Sequence, residues 1–278
     1  MPLPRPTAGM GLAAASAAVS PQVPDEGQGC IMAAGAGRCL AAKSGCYRGH
    51  MEAIVLDDIA WQLDVRQVLA RLHLQPGSEY AAEATQLASE AQAVARPRAM
   101  YGVAFVDEKG EDGVVVEGVN LNSRVLRVNL GEAHRIFPYV ATCGCELDQW
   151  SESITDVLHR FWADSIKEMA IAPAMRAVEA DLQARFRPGK LASMNPGSLP
   201  DWPLTEQAPL FQLLGDVYGQ IGVRLTDSYL MLPTKSVSGL FFPTEVSYAN
   251  CQLCPRASCP GRSAAYEPDL FERKYSKR

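Results

Sequence analysis

The sequence predicts an α+β fold in which helices and strands occupy partly separate stretches of the chain. Apolar residues recur at helical spacing in segments 57–95 and 147–186. Segments 99–130 and 224–243 are instead rich in Val, Tyr, Phe and Leu between Gly and Asn residues, which is typical of short strands. Strands and helices do not alternate regularly, so we expect a mainly antiparallel, twisted sheet with helices packed around it.

Residues 1–50 differ in composition from the rest of the chain. They are rich in Ala, Gly, Pro and Ser and have few large apolar side chains, so we expect them to stay disordered. A signal peptide is the alternative interpretation, but the Ala-rich stretch lacks a Leu-rich apolar centre. Cys30, Cys39 and Cys46 lie here at a spacing that matches no metal site, and we assign them no role.

The first half of the remaining chain is predicted to open with two helices. The second half of 57–74 forms one helix, which Pro76 and Gly77 end, and Ala- and Glu-rich residues 78–95 form the next. All of 99–130 is then expected to be β-rich, with "EKGEDG" as a hairpin connection. This arrangement begins a domain that we place at 51–249.

The second half begins with a buried strand in "RIFPYVATCGCELD" that runs into a turn. Long helical segments follow and are expected to break near Pro173. A proline-rich loop then leads to one helix over 208–222 and to a last β-rich region, 224–243. A cysteine-containing tail, 250–278, is expected to pack on the domain.

Charge and hydropathy exclude several classes of protein. The net charge is −5 with a pI near 5.5, and no block of Lys and Arg suggests nucleic acid or an anionic membrane surface as a partner. No run of about 18 apolar residues is present, so we expect a cytoplasmic protein that does not span a membrane. Glycine-rich phosphate-binding motifs are also missing.

A family resemblance is carried by the last β-rich region, "LTDSYLMLPTKSVSGLFFP", with Pro233 and the tetrad Ser236-Val237-Ser238-Gly239. The turn Pro196-Gly197 and the pair Thr205-Glu206 precede it in the same order. Together they resemble the activation domain of cobalamin-dependent methionine synthase. The "EAI", "VLARL" and "VATCG" segments resemble its stand-alone relatives in anaerobic bacteria, so that the likeness spans roughly residues 51–262.

The resemblance implies a helper role in cobalamin chemistry. Family members help to reduce and remethylate oxidised cobalamin, using S-adenosylmethionine and an external electron donor such as ferredoxin or flavodoxin. We expect no cobalamin-binding domain in this sequence. It would therefore act on a cobalamin-carrying methionine synthase, or on another corrinoid methyltransferase.

The resemblance also implies a ligand cleft. It is formed by residues of the Pro-Gly turn, the tetrad and a tyrosine, which here are Pro196, Gly197, Ser236, Ser238, Gly239 and Tyr248. The family loop reads Arg-Pro-x-Pro-Gly-Tyr, whereas residues 193–198 read Ser-Met-Asn-Pro-Gly-Ser. Because the arginine that pairs with the ligand carboxylate is missing, two readings stay open: S-adenosylmethionine binds with help from Arg185, Arg187 or Lys190, or it does not bind.

Cys251, Cys254 and Cys259 have the spacing C-x2-C-x4-C, which in a reducing compartment favours a metal centre over disulfides. Pro255 and Pro260 follow two of them directly, as prolines often do beside iron-sulfur ligands. We predict Cys143 as the fourth ligand, with Cys145 as the second choice. The alternative is that both are small buried core residues.

Iron-sulfur and zinc sites both use four thiolates. We favour a [4Fe-4S] cluster because the family's task is electron delivery at low potential, which zinc cannot perform. A structural zinc in a non-redox binding module is the alternative. Arg262, beside the thiols, would stabilise the negative charge of a cluster or hold a corrinoid side chain.

Overall fold

The computed structural model describes residues 51–245, 248–259 and 262–276. The predicted extension 1–50, with Cys30, Cys39 and Cys46, lies outside the described residues. The strands are β1 Ala53–Leu56, β2 Arg98–Gly102, β3 Ala104–Lys109, β4 Val114–Val116, β5 Val119–Leu121, β6 Arg135–Thr142, β7 Leu191–Met194, β8 Arg224–Leu225, β9 Met231–Leu232 and β10 Ser236–Pro243. The helices are α1 Val65–Arg71, α2 Glu79–Val94, α3 Arg124–Leu130, α4 Cys145–Ser153, α5 Val157–Met169, α6 Ile171–Phe186, α7 Gln207–Leu214, α8 Val217–Ile221 and α9 Leu270–Lys274.

The main sheet is built around β6. On one edge, β10 pairs antiparallel with β6, from Ser236 opposite Thr142 to Phe241 opposite Phe137. On the other edge, β2 and β3 pair with successive halves of β6. Beyond β2 the sheet continues with β1, and beyond β3 it continues with β4 and then β5. β7 pairs with the outer edge of β10. All of these pairings are antiparallel, as predicted, and β8 and β9 form a separate small sheet.

The two faces of the sheet bury different residues because side chains alternate along a strand. Phe137, Tyr139 and Phe241 pack against α6 on one face. On the other face, Leu240 and Phe242 belong to a cluster that includes residues of α3 and α7. A further cluster is formed mainly by α1, α2, α4 and α5 and includes Cys143 at the end of β6.

Side chains at the first turn define where several helices begin. Asp64, Ser78, Ser123, Asp156 and Asp216 each accept a hydrogen bond from a backbone N–H two or three residues later. Such caps satisfy N–H groups that have no partner within the helix. The described residues belong to one compact unit, and none of their helices is long and apolar enough to cross a membrane.

Several predicted elements are corrected by the structure. The strand β1 precedes the two opening helices, and α1 ends at Arg71, before Pro76. Part of the expected β-rich segment is α3, which Ser123 caps. The predicted break near Pro173 is confirmed and lies at Ala170, while Pro173 itself is in the first turn of α6, where a missing N–H costs no helical bond.

The predicted single helix over 208–222 is two helices, α7 and α8. They are separated at Gly215, which has a φ of 79°. Glycine adopts this left-handed conformation without steric cost, so the chain can turn between the two helices. The hairpin at "EKGEDG" and the strand β6 are confirmed.

Candidate functional site

The Pro196–Gly197 turn follows β7 directly and is fixed by short backbone bonds. The N–H of Gly197 donates to the carbonyl of Trp202 at 2.7 Å, and the N–H of Ser198 donates to the carbonyl of Asn195 at 3.2 Å. Gly197 has a φ of 81°, and a Cβ there would lie 3.0 Å from Leu204. The turn therefore requires glycine at this position.

Asn195, immediately before the turn, ties it to the sheet. Its Nδ2 donates to the hydroxyl of Tyr139 at 2.7 Å and to the carbonyl of Ser238 at 2.8 Å. Tyr139 is completely buried and stacks on Phe241, with ring centroids 4.5 Å apart. Burial raises the pKa of the Tyr139 hydroxyl, so this group stays neutral.

Gly239 lies where β10 packs closely against the end of β7 and Asn195. A Cβ at this position would lie 2.5 Å from the carbonyl oxygen of Met194, 2.5 Å from Nδ2 of Asn195 and 2.8 Å from the Tyr139 hydroxyl. Real side chains essentially never tolerate such contacts with backbone. Glycine at 239 is thus a condition for β7, the turn and β10 to meet.

Ser238 uses its side chain within the protein. Its hydroxyl donates to Oε1 of Gln207 at 3.2 Å, and Nε2 of Gln207 donates to the carbonyl of Tyr229 at 3.1 Å. This chain of bonds joins β10, the first residue of α7 and the loop between β8 and β9. Asn195 and Gln207 were not predicted from the sequence, although their positions beside the Pro-Gly turn and the Thr-Glu pair were the available signal.

Ser236 lies at the start of β10, away from the turn. Its hydroxyl donates to the carbonyl of Pro233 at 2.7 Å and lies 2.9 Å from the hydroxyl of Thr142. Tyr248 lies beyond the end of β10, where its hydroxyl donates to Oδ1 of Asn250 at 2.9 Å. The structure therefore brings Pro196, Gly197, Ser238 and Gly239 together, whereas Ser236 and Tyr248 flank them along the strand.

Carboxylates hold the loop after the turn against the start of α3. Asp201 accepts from the N–H of Val125 at 3.0 Å and from the Ser123 hydroxyl. Glu206 is buried and accepts from the backbone N–H of Asn122 at 2.8 Å. Arg185, a predicted substitute for the family arginine, is held on α6 by Asp181 at 2.7 Å.

The loop that carries Cys251, Cys254 and Cys259 is closed by Arg262. The guanidinium donates to the carbonyls of Cys251 at 3.1 Å, Cys254 at 3.2 Å and Ala264 at 3.1 Å, and also to that of Arg256. These donors are directed at backbone oxygens. Arg262 therefore shapes the loop, and its charge also helps to lower the pKa of the Cys251 thiol. Its predicted roles in charge compensation for a cluster and in corrinoid binding stay predictions.

The three cysteines of this loop are partly exposed free thiols. The sulfur of Cys251 accepts from the backbone N–H of Ser263 at 3.4 Å and from the Ser263 hydroxyl at 3.5 Å. These hydrogen bonds are the main cause that lowers the pKa of the Cys251 thiol below its usual value. Thiolates are the form in which cysteine binds metals, so Cys251 has the chemistry of a metal ligand.

A C-terminal anchor attaches this loop to the domain. Gln252 and Glu267 are joined by two hydrogen bonds, from the Glu267 N–H at 2.9 Å and from Nε2 of Gln252 at 2.8 Å. Tyr275 is completely buried and donates to Oδ1 of Asn129 at 2.7 Å. The anchor therefore places the cysteine loop beside α3 and the end of β10.

Cys143 lies at the other end of β10. Its N–H donates to the carbonyl of Lys235 at 3.0 Å, whereas the cysteine loop follows Pro243. Eight residues of β10 span about 23 Å at ~3.3 Å per residue. Cys143 is completely buried among apolar residues, and burial raises its pKa to about 12. The structure therefore does not bring this predicted fourth ligand to the triplet.

Cys145, the second choice, is half-buried at the start of α4, with its sulfur 3.4 Å from the carbonyl of Gly222. Neither Cys143 nor Cys145 therefore lies with the three cysteines of the C-terminal loop. Within the described residues, no group of three or more His, Cys, Asp or Glu side chains is arranged to hold a metal ion. In this structure Cys251, Cys254 and Cys259 are thus free, partly exposed thiols.

Comparison with known proteins bears on the region that contains the turn, the tetrad and two of the three clustered cysteines. Residues 151–256 match the family model described as vitamin B12 dependent methionine synthase, activation domain. The resemblance to the activation-domain family is confirmed. A search of curated protein sequences finds no match.

Among solved structures, the chain is similar to the crystal structure of the MetH reactivation domain bound to AdoHcy. The TM-score is 0.50 at 16% sequence identity, over 75% of this chain and 86% of that chain. At this identity the likeness establishes the fold alone. The predicted activation-domain-like α+β architecture is thereby confirmed.

Proposed function

We propose that this protein helps to reactivate the cobalamin of a B12-dependent methionine synthase or a related corrinoid methyltransferase. The observation that carries the proposal is the family match over 151–256, which covers the turn and the Ser236–Gly239 tetrad. β7 and β10 meet at the buried Gly239, and the exposed Gly197 and Ser198 of the adjoining turn are residues that a corrinoid protein could contact. In this proposal the cobalamin is carried by the partner.

The cysteine triplet supports a redox part of this role. Cys251, Cys254 and Cys259 would hold a [4Fe-4S] cluster, which when bound supplies a low-potential electron carrier. Arg262 shapes the loop, and Ser263 stabilises the Cys251 thiolate. With Cys143 in the core, the fourth ligand would come from outside the described cysteines. An external donor such as ferredoxin or flavodoxin would supply the electron.

The alternative is a non-redox module that binds S-adenosylmethionine or the corrinoid protein and carries a structural zinc. The Pro196–Gly197 turn supports ligand binding, because its exposed residues lie beside the Asn195 junction. The MetH reactivation domain with AdoHcy makes a related ligand a reasonable one to test here. The missing loop arginine argues for weak binding.

The test follows the absorbance of cob(II)alamin in the methionine synthase of the same organism. With a strong reductant, the anaerobically purified protein should convert cob(II) to cob(I) faster than reductant alone. When S-adenosylmethionine is added as the methyl donor, the protein should likewise speed the formation of methylcobalamin. Protein with iron-sulfur absorbance near ~400 nm that gives no acceleration with any corrinoid partner would contradict electron delivery. Acceleration that survives removal of all three clustered cysteines would favour the non-redox module.

Two glycine variants test whether the junction at Gly239 contributes to the acceleration independently of the thiols. Gly239→Val places side-chain atoms against Met194 and Asn195, so it should abolish most of the acceleration while iron content stays unchanged. Gly110→Val is the matched control. A Cβ at Gly110 meets only an ordinary contact at 3.5 Å in a distant hairpin, so this variant should keep full activity. Equal activities of the two variants would exclude the junction from function.

A further inference from the structure

The strand β1 leaves one edge of the main sheet open. Within the described part of the chain it pairs with β2 alone, from Ala53 opposite Gly102 to Leu56 opposite Ala99. No other described backbone group bonds to residues 53–56. An open strand edge carries N–H and C=O groups without a partner strand, so β1 has the hydrogen-bonding capacity to accept a further strand.

A cleft of about 680 Å³ lies beside this edge, between the end of β1 and the helix α6. Val55 and Leu56 line it from the strand. From the helix it is lined by three alanines at helical spacing, Ala177, Ala180 and Ala184, of which the last two are exposed. The wall of the cleft opposite β1 is therefore apolar and made of small side chains.

The helix α6 reaches past the edge of the sheet. Its buried residues Ala174, Val178 and Leu182 pack with Ile54 and Leu56 under the sheet, whereas its alanine side faces the cleft. A further strand beside β1 would lie about 4.7–4.9 Å from it, over this alanine side. The small side chains leave room there for the apolar residues that such a strand directs at the helix.

Both ends of β1 are acidic. Glu52 precedes the strand, and Asp57 and Asp58 follow it; all three are exposed, and none forms an ion pair or a side-chain hydrogen bond with a described residue. Asp181 adds a carboxylate to the cleft that is already ion-paired. The cation Arg176 also borders a neighbouring cleft, so it lies at one end of this one. Lys or Arg at the ends of an added strand would therefore meet unpaired carboxylates.

The same charges disfavour a second copy of this chain as the occupant. If two β1 strands paired antiparallel about the point between Ile54 and Val55, Asp57 of one copy would face Glu52 of the other. Like charges directly opposite each other destabilise a strand pair. We propose that β1 and the alanine side of α6 bind an extended segment of a partner protein as an added strand, with apolar residues in its middle and Lys or Arg at both ends. This inference does not depend on the proposed function.

The test adds a fluorescent peptide, Lys-Thr-Val-Thr-Val-Thr-Lys with blocked ends, to the full chain. We expect saturable binding with a Kd below about 100 µM, measured by fluorescence anisotropy. Two control peptides should bind at least about tenfold more weakly: one with Glu in place of Lys, and one N-methylated at every Val and Thr, which removes the backbone donors. The bound peptide should also slow amide hydrogen exchange in residues 53–56, which a contact through side chains alone would not do.

Variants test where the peptide binds. Ala180→Arg fills the cleft at an exposed helix position, so it should keep the melting temperature and weaken binding by about tenfold or more. Ala93→Arg, at an exposed position of α2, is the matched control and should bind like wild type. Asp57→Asn with Asp58→Asn should weaken binding and reduce its salt dependence.

Several results would overturn the inference. They are no binding of the Lys peptide, equal binding of the Glu peptide, unchanged exchange in residues 53–56, or full binding by Ala180→Arg. A concentration-dependent dimer of the free chain that Ala180→Arg dissociates would overturn it as well, because the occupant of the edge would then be a second copy.

Discussion

Cys143 and the cysteine triplet lie at the two ends of β10, where the same side chain has contrasting surroundings. Cys143 is completely buried, and its pKa is raised to about 12 because burial disfavours the thiolate. Cys251 is partly exposed, and its pKa is lowered because Ser263 donates to its sulfur. The comparison teaches that spacing alone does not distinguish a buried core cysteine from an accessible, acidic thiol, whereas burial and the donors around the sulfur do.

Alkylation of the metal-free protein should show the largest difference. At pH 8 a thiol with a pKa of about 12 is ionised in only about one molecule in 10⁴, and Cys143 is also inaccessible. We expect Cys251 to react with iodoacetamide at least ~10³-fold faster than Cys143, and its rate to fall only at lower pH than for an ordinary thiol. Peptide mass spectrometry over time measures both rates. Modification of Cys143 in folded protein at a similar rate would break the comparison.

Serine substitutions should separate the two ends by metal content. Cys254→Ser removes the middle ligand of the triplet and should eliminate most bound iron, measured after anaerobic reconstitution. Cys143→Ser should retain the iron and lower the free energy of unfolding by about 1–3 kcal/mol, because a hydroxyl replaces a buried thiol. Loss of iron in Cys143→Ser would instead restore Cys143 as the fourth ligand.

Ligand binding should be improved by substitutions in β7 and in the turn that follows it, beside the middle of β10. Ser193 and Ser198 stand where the family loop has its arginine and tyrosine, and Ser198 is exposed. The double substitution Ser193→Arg with Ser198→Tyr should tighten S-adenosylmethionine binding about tenfold, about 1.4 kcal/mol, by restoring a carboxylate contact. Calorimetric titration measures it, with Ser198→Tyr alone as the control. An unchanged affinity would show that the missing arginine does not limit binding.

Removal of residues 1–50 should have the smallest effect. Their composition offers little to bury, and the described residues contain extended apolar clusters of their own. We expect the melting temperature and the iron content of 51–278 to match those of the full chain. A drop of several degrees on truncation would show that the extension contributes to the fold.

Elements with a strong local pattern could be predicted from the sequence. The apolar run of β6 and the turn at Gly110 specify their structure within a few residues. β1 escapes prediction because four apolar residues beside two aspartates give a weak strand signal. The segment of α3 resembles a strand because Val and Asn are poor helix formers, although the capping residue Ser123 marks its start.

The candidate site could be predicted only in part because its bonds join distant segments. The Pro196–Gly197 turn and Gly239 are visible locally, since turns and close approaches favour glycine. The bonds of Asn195 to Tyr139 and of Gln207 to Ser238 arise only when β7, α7 and β10 meet. The separation of Cys143 from the triplet likewise depends on the length and direction of β10, which spacing along the chain does not encode.

β10 also governs the order in which the molecule can be completed during synthesis. It lies between β6 and β7, although it is made about 100 residues after β6 and about 45 after β7. Until residue 243 has left the ribosome, the long edge of β6 and the short edge of β7 remain open to wrong pairing or to chaperones. The cysteine loop emerges only afterwards, so its thiols are first held in place on a domain whose sheet can already be closed.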